Sequence, residues 1–403
     1  MTFAPRLLKV ADDTAARDEL KTLGVDPVGI ERMTAKMLLR LVKIDRVPCR
    51  AANILKQEML ALGGDAAVAR GTVACSLPTT DVILIGTLKQ LEQLARRLGV
   101  QPFGLADLGQ ELIQLLDWLD KPATLLRGRT VELDLSRPRI MGILNATPDS
   151  FSDGGRYNRV DAALMRAGEM VAEGADLIDV GGESTRPGAL AVSVEEELDR
   201  VIPIIEALHA EFALPLSIDT SKSGVAAAAA AAGVEFVNDI SGLQFDAQMP
   251  KVVATSSAGL ILMHTRGRPE TMQHDTKYLD LTGQVISGLR DSLSRALAAG
   301  VKVERIAVDP GIGFGKDVAG NLELLRHLDE LHSLGRPLLL GTSRKSFIGT
   351  ILGEDDPVQR LHGSLATVAL AVAAGVRLLR VHDVRASREA ALTAWAVVSG
   401  QRP

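Results

Sequence analysis

Short apolar runs alternate with segments of helical composition throughout residues 139–403. Strands that alternate with helices indicate parallel βαβ units. Eight such units in this length match a (β/α)8 barrel of roughly 250 residues. We therefore predict an α/β fold, a (β/α)8 TIM barrel, in preference to an open doubly wound sheet. The apolar runs occupy residues 139–144, 176–181, 215–219, 235–239, 259–264, 305–309, 337–341 and 377–382, and helices are predicted at 161–173, 194–211, 222–232, 284–299, 322–334 and 363–374.

Polar side chains follow every one of these predicted strands. The carboxyl ends of barrel strands meet at one mouth, where the active sites of this fold lie. Eight polar strand ends in phase therefore predict a single site at that mouth. The residues are Asn145; Asp179 with Glu183, Thr185 and Arg186; Asp219; Asn238 and Asp239; His264; Asp309; Ser343, Arg344 and Lys345; and Arg380 with His382.

The first 120 or so residues have a different pattern. Helical periodicity at 32–43, 53–62, 88–98 and 105–119 surrounds two strand-like runs at 67–73 and 81–85. We predict a small α/β domain over residues 1–125, a linker over 126–137 and the barrel over 138–403. No catalytic constellation stands out in the first domain, and we assign it a structural, docking or oligomerisation role.

Composition narrows the possible functions. The 403 residues carry 45 Lys and Arg against 50 Asp and Glu, a net charge of −5, and only 3% are aromatic. Nucleic-acid binding is disfavoured, because there is neither a basic stripe nor a set of stacking platforms. Two cysteines provide no disulfide framework, and the apolar stretches stop short of membrane-spanning length. We expect a cytoplasmic protein without a membrane partner.

A long polar and glycine-rich loop follows the first barrel strand at residues 142–155, GILNATPDSFSDGG. Its oxygen-bearing side chains, including Asn145, could bind a magnesium ion that is held mainly through substrate phosphates.

This loop and the segment DVGGESTRPG at 179–188 resemble the two signature motifs of dihydropteroate synthases. The resemblance extends over residues 138–395 and implies a reaction. Family members join 6-hydroxymethyl-7,8-dihydropterin diphosphate to para-aminobenzoate and release pyrophosphate. It also implies small-molecule substrates and a homodimer. The further matching segments are SIDTSK at 217–222, VNDI at 237–240, Met263 and His264, DPGIGFGK at 309–316, SRKS at 343–346 and RVHD at 380–383.

Three tasks follow from that chemistry. The pterin ring presents donors and acceptors in one plane, which Asp219, Asn238 and Asp309 can match, with Lys345 on the ring carbonyl and ring nitrogen. Their alternative role is to cap the following helices. The other two tasks are to stabilise the leaving diphosphate and to position the amine.

For the diphosphate, Arg380 and His382 alternate along the last strand, so that both side chains face the barrel interior. The resemblance adds Asn145, with Mg²⁺ bound to it, and Thr185. We predict that Asn145, Lys345, Arg380 and His382 form the catalytic set.

The resemblance places the para-aminobenzoate among side chains of four loops. We assign no general base, because the aniline nitrogen is already nucleophilic. The predicted contacts are Pro148, Phe151, Thr185, Arg186, Pro187, Phe314 and Ser346.

Two other functions fit a pterin-holding barrel. One is a methyltetrahydrofolate:corrinoid methyltransferase, which expels no pyrophosphate and needs neither Asn145 nor the Arg380 and His382 pair. The other is a catalytically silent pterin-binding scaffold. A third possibility, nucleotide binding by the glycine-rich segment 311–316, is rejected because its spacing is one residue short of a phosphate-binding loop.

Overall fold

The computed structural model describes residues 4–10, 12–146, 156–184 and 191–402. It divides into two compact units, Met1–Pro122 and Ala123–Pro403. In the described residues no helix is long and apolar enough to cross a membrane.

The first unit is an α/β domain with a three-stranded antiparallel sheet in the order β1-β3-β2. Its core forms between this sheet and helices α3, α4 and α5. Helix α4 begins with a capping box, in which Thr87 and Gln90 satisfy each other's backbone N–H groups. The elements are α1 (Asp13–Thr22), α2 (Pro27–Met37), β1 (Leu39–Pro48), α3 (Cys49–Ala61), β2 (Asp65–Val68), β3 (Thr79–Thr87), α4 (Leu88–Leu98) and α5 (Leu105–Asp120).

The predicted helix at 32–43 is wrong in its second half. Helix α2 ends at Met37, and residues 39–43 belong to β1, which pairs with β3 from Leu39 opposite Thr87. Apolar residues at 38, 39, 41, 42 and 44 fit either a helix or a strand. The long-range ladder with β3 decides for the strand, because it pairs eight residues of β1 with β3 and so satisfies backbone groups along one edge of β1.

The predicted linker at 126–137 is also wrong. Strands β4 (Leu125–Arg127) and β5 (Glu132–Asp134) form an antiparallel hairpin within the second unit. Leu126 and Leu133 are buried in one cluster with Phe236. The Glu235 carboxylate accepts hydrogen bonds from the backbone N–H and the hydroxyl of Thr130, both at 2.6 Å. Residues 128–131, within the predicted linker, form the turn between the two strands.

The second unit is the predicted barrel. Its parallel sheet has the order β11-β10-β9-β8-β7-β6-β13-β12, and a bridge between Val308 and Leu338 closes it. All eight predicted strands are present. They are β6 (Arg139–Asn145), β7 (Leu177–Gly181), β8 (Leu216–Asp219), β9 (Phe236–Asp239), β10 (Gly259–Met263), β11 (Ile306–Asp309), β12 (Leu339–Leu340) and β13 (Leu378–Val381).

Helices surround the sheet, and one of the predicted ones is split. Residues 322–334 form the end of α11 and a 3-10 helix, Leu328–Leu334, where a single helix was predicted. A run of seven alanines at 226–232 lies in α8, where Ala226, Ala229 and Ala230 are buried. The helices are α6 (Arg156–Glu173), α7 (Val194–Glu211), α8 (Ser223–Ala232), α9 (Met249–Ser256), α10 (Leu281–Ala298), α11 (Val318–Arg326), α12 (Ser346–Leu352), α13 (Leu361–Ala373) and α14 (Val384–Ser399).

The barrel interior changes from apolar to polar along the strands. At the amino ends, the side chains of Met141, Leu177, Ile261 and Leu378 pack with the hairpin. Two residues after Leu177 and Leu378, the inward positions carry Asp179 and Arg380, because side chains on one face of a strand recur with a period of two. A buried ion pair joins these two side chains across the interior. Apolar side chains therefore fill the amino-terminal end of the barrel, and the polar groups lie toward its carboxyl-terminal mouth.

Candidate active site

Arg380 stands at the centre of the mouth, between two carboxylates. Its Nε donates to Oδ2 of Asp179 at 2.6 Å, and its Nη2 donates to Oδ2 of Asp219 at 2.7 Å. The Asn238 amide donates to the same oxygen of Asp179 at 3.0 Å. Four residues on four strands thus form one hydrogen-bonded cluster. As predicted, Arg380 faces the interior, while Val381 lies in the outer core.

Asp179 was predicted at the mouth as a polar strand end, but no binding role was assigned to it. It is fully buried and joins Arg380 to Asn238. Its inward-facing position, two residues after the buried Leu177, is the signal for this role. The hydroxyl of Ser217, beside it on β8, is also buried.

Several buried oxygen atoms at the mouth have no hydrogen-bond partner among the described residues. They are Oδ1 of Asp179, Oδ1 of Asp219 and the Ser217 hydroxyl. A buried acceptor without a donor costs about 1–3 kcal/mol. A ligand that brings N–H or O–H donors to the mouth would therefore satisfy these acceptors.

Burial and neighbouring charges shift the acid–base properties of this cluster. Burial raises the pKa of Asp219 to about 7, and the charge of Asp179 adds to the shift while Arg380 opposes it. For Arg380, burial alone would lower the pKa, but Asp179 and Asp219 together raise it. Arg380 is therefore a permanent cation, and Asp219 changes its charge near neutral pH.

Asp309 and Lys345 form the opposite side of the mouth. Oδ1 of Asp309 accepts the Gly311 N–H at 2.7 Å, and burial raises the pKa of this carboxyl against the effect of Lys345. The Lys345 ammonium bonds the Ile312 carbonyl and lies 4.8 Å from the centre of the Phe314 ring. Burial lowers its pKa to about 8, although Asp309 opposes the shift.

His382 and Ser343 lie next to each other at the rim. The Ser343 hydroxyl accepts the His382 backbone N–H at 3.1 Å and lies 3.0 Å from Nδ1 of the ring. The adjacent Arg344 binds the Asp383 carboxylate with both Nε and Nη2. This pair ties the loop after β12 to the loop after β13 and so holds Lys345 and His382 on one side of the mouth.

Asn145 is the exposed last residue of β6. Its neighbour Gly181 has no side chain, and a Cβ there would lie 3.9 Å from the Asn145 oxygen and 3.7 Å from Cβ of Asp219. The Asn145 oxygen and Asp219 therefore border the same gap. Among the described residues, no group of three or more His, Cys, Asp or Glu could hold a metal ion.

Part of the predicted aryl site lies outside the described residues. This holds for Pro148, Phe151, Thr185, Arg186 and Pro187. Of the other two predicted contacts, Phe314 is packed under Lys345, and Ser346 is the exposed first residue of α12.

A partly buried ion-pair network that the sequence did not predict joins the loops after β7 and β8. Lys222 donates to Glu183 at 2.6 Å and to the fully buried Glu197 at 2.5 Å. Glu183 also accepts the Val192 backbone N–H at 2.8 Å. One carboxylate therefore ties the loop after β7 to the loop after β8 and to Val192.

Comparison with known proteins supports a pterin site. The family described as pterin binding enzyme matches residues 141–382. A (β/α)8 barrel with this match and this polar mouth defines the class of pterin-binding barrel enzymes.

Individual relatives narrow the class further. The dihydropteroate synthase of Synechocystis is 49% identical over 276 residues, which cover 68% of this chain and 95% of that protein. A solved structure of the Xanthomonas albilineans dihydropteroate synthase with 4-aminobenzoic acid has 46% identity and a TM-score of 0.65, and the match covers 69% of this chain and 99% of that one. The chain belongs to the dihydropteroate synthase family.

The first unit also has a counterpart. A probable bifunctional folylpolyglutamate synthase/dihydropteroate synthase of Halobacterium salinarum is 42% identical over 399 residues, or 99% of this chain. The chain spans about half of that relative, 48% of its length. The similarity therefore includes the first unit as well as the barrel.

Proposed function

We propose that the chain joins 6-hydroxymethyl-7,8-dihydropterin diphosphate to para-aminobenzoate, giving 7,8-dihydropteroate and pyrophosphate in folate synthesis. The observation that carries this proposal is the convergence of Asp219, Asn238, Asp309, Lys345 and Arg380 on one barrel mouth. The matches to dihydropteroate synthases support it as a transferase activity and give no support to the methyltransferase or the silent scaffold.

Pterin recognition follows from the acceptors and donors at the mouth. The unsatisfied Oδ1 of Asp219 and the carboxylate of Asp309 accept N–H groups from the ring edge. The amide of Asn238 supplies a further polar contact, and Lys345 donates to the ring carbonyl and ring nitrogen. Binding relieves the cost of the unpaired buried acceptors, which favours a ring with several N–H donors.

The chemical step breaks the C–O bond to the diphosphate and forms a C–N bond to the aniline nitrogen. The carbon is benzylic-like, so the C–O bond breaks ahead of amine attack and its electron pair leaves with pyrophosphate. Positive charge then develops on the pterin beside three carboxylates, those of Asp179, Asp219 and Asp309. The attacking nitrogen finally loses a proton, and no residue is assigned as its base.

Negative charge develops on the departing diphosphate, at the rim of the mouth. Arg380 uses Nε and Nη2 for carboxylates, and Nη1 has no partner among the described residues, so one edge of the guanidinium is available for a phosphate oxygen. Asn145 ends β6 and His382 follows β13, so both lie at the carboxyl ends of the barrel strands. We propose that these three groups bind the diphosphate.

The residues present fit a magnesium ion that is bound chiefly by the substrate. Asn145 offers one exposed amide oxygen, a ligand type that Mg²⁺ accepts, and the described carboxylates form no cage of their own. Mg²⁺ would neutralise charge on the departing pyrophosphate. We propose Asn145 as its protein ligand.

The aryl amine binds, in this proposal, on the side of Phe314, Lys345 and Ser346, together with Phe151, Thr185, Arg186 and Pro187. The complex of the Xanthomonas albilineans enzyme with 4-aminobenzoic acid supports this choice of substrate. We further propose a cytoplasmic homodimer, in which the first unit serves docking or assembly. The two cysteines, both free thiols, support a reducing compartment.

The test is product formation. Purified protein is mixed with the pterin diphosphate, para-aminobenzoate and Mg²⁺, and pyrophosphate release and dihydropteroate are measured, the latter by mass spectrometry. We expect product only when all three are present, and none from Asp219→Ala or Lys345→Ala. Asp176→Asn, at the opposite end of the barrel, is the control that keeps activity. Pterin binding without product in the wild-type protein would overturn the proposal.

A further inference from the structure

Lys316 is a buried lysine that the proposed reaction does not use. Only 2% of its surface is exposed, and it ends the glycine-rich segment 311–316. Its ammonium donates to the carbonyls of Gly311 at 2.9 Å and Phe314 at 2.8 Å, and lies 3.1 Å from Nδ1 of His264. The lysine therefore binds its own loop from the inside.

The loop that Lys316 holds has an unusual backbone. Gly311, Gly313 and Gly315 have φ values of +69°, +85° and +63°, in the left-handed region. At Gly311 a Cβ would come within 1.9 Å of the His264 carbonyl oxygen. Such a loop cannot form the regular hydrogen bonds of a helix or strand, so its carbonyls need other donors. Lys316 supplies donors for the carbonyls of Gly311 and Phe314, while Gln273 and Tyr278 donate to those of Gly313 and Gly315.

The outer side of the same loop contacts Lys345. The Ile312 carbonyl accepts from its ammonium, and the Phe314 ring lies 4.8 Å from its Nζ. Lys316 binds the carbonyls of residues 311 and 314, and the groups that meet Lys345 come from residues 312 and 314. The two lysines thus hold opposite sides of one turn.

We propose that Lys316 is a positioning residue, which fixes the loop 311–315 from inside so that the Ile312 carbonyl and the Phe314 ring orient Lys345 toward the pterin. The inference rests on the proposed function, because it gives Lys345 a ligand. A buried ammonium carries a desolvation cost, which a methionine of similar length would avoid. In agreement, burial lowers the pKa of Lys316 to about 7, with Asp309 opposing the shift.

A double-mutant cycle tests this assignment. The variants are Lys316→Met, Lys345→Met and the double variant, with the exposed Lys302→Met as matched control. The affinity of each variant for 6-hydroxymethylpterin is measured by titration calorimetry. The temperature is kept well below each melting temperature, so that only folded protein is compared. We expect Lys316→Met to weaken binding about tenfold in the wild-type background and less than about twofold in the Lys345→Met background, because coupled residues are not additive. Lys302→Met should bind like wild type.

Either of two binding results would overturn the assignment. Equal affinity of Lys316→Met and wild type would do so, as would losses that multiply in the double variant. If Lys316→Met does not fold, Lys316→Gln takes its place, because its amide still donates hydrogen bonds. If neither variant folds, Lys316 is needed for folding, and the positioning role is rejected. Failure of the proposed function is distinct, because wild-type protein would then not bind the pterin.

Discussion

Replacement of Asp179 by asparagine is the most direct perturbation of the mouth. The carboxylate is fully buried and shares one oxygen between Arg380, at 2.6 Å, and Asn238, at 3.0 Å. An asparagine keeps the shape but removes the charge. Breaking a buried ion pair costs about 3–5 kcal/mol. We expect the low end, about 3 kcal/mol, because Asp219 still pairs with the guanidinium at 2.7 Å.

The assay for Asp179→Asn has two parts. In a domain of this size 1 kcal/mol corresponds to roughly 2–4 °C, so the melting temperature should fall by about 6–12 °C. The charge of Asp179 also contributes to the raised pKa of Asp219. Its removal should therefore move the acid limb of the pterin-binding profile to lower pH. Calorimetry measures both quantities.

A matched control separates the site from the fold. Asp176 lies at the other end of β7 and binds Arg139 at 2.9 Å. Asp176→Asn should lower stability but leave the pH dependence of pterin binding unchanged. The reasoning about the mouth is refuted if Asp179→Asn melts within about 2 °C of wild type, or if its acid limb coincides with that of Asp176→Asn.

Four further predictions concern the pH dependence of activity, the pH dependence of stability, the metal and the barrel base. The kcat/KM profile should be a narrow bell, rising as Asp219 ionises near pH 7 and falling as Lys345 loses its proton near pH 8; a flat profile from pH 6 to 9 contradicts the assigned roles. Folding raises the pKa of Asp219, so the stability that this carboxyl contributes is present at pH 4 and is lost as the pH rises to about 7. The melting temperature of wild type should therefore fall relative to that of Asp219→Asn over this pH range. Removal of Mg²⁺ with a chelator should abolish turnover in wild type, and Asn145→Ala should need more Mg²⁺ for half-maximal rate; an unchanged requirement excludes Asn145 as ligand. Leu126→Ala should lower the free energy of unfolding in urea by about 2–5 kcal/mol if the hairpin packs against the base of the barrel. If residues 126–137 were a flexible linker, the free energy of unfolding would not change.

The sequence predicted the barrel well because its signal is local and repeated. Each strand is a short apolar run, and each run ends in a polar residue at the same side of the sheet. The place of Asp219, Asn238, Asp309 and Arg380 at the mouth therefore follows from the sequence alone. Where the signal was local but ambiguous, as at residues 39–43, strand pairing overruled the helical period.

The fold class, the end of the barrel that carries the site and the residue types available there follow from the order of residues along the chain. Which of these groups share hydrogen bonds depends on how the chain packs. Asp179 became the common partner of Arg380 and Asn238, and Lys316 turned inward to bind carbonyl oxygens. The physical reason is that alternation along a strand fixes the direction of a side chain. Its partners come from strands and loops distant in sequence, and burial sets the strength and the pKa of each contact.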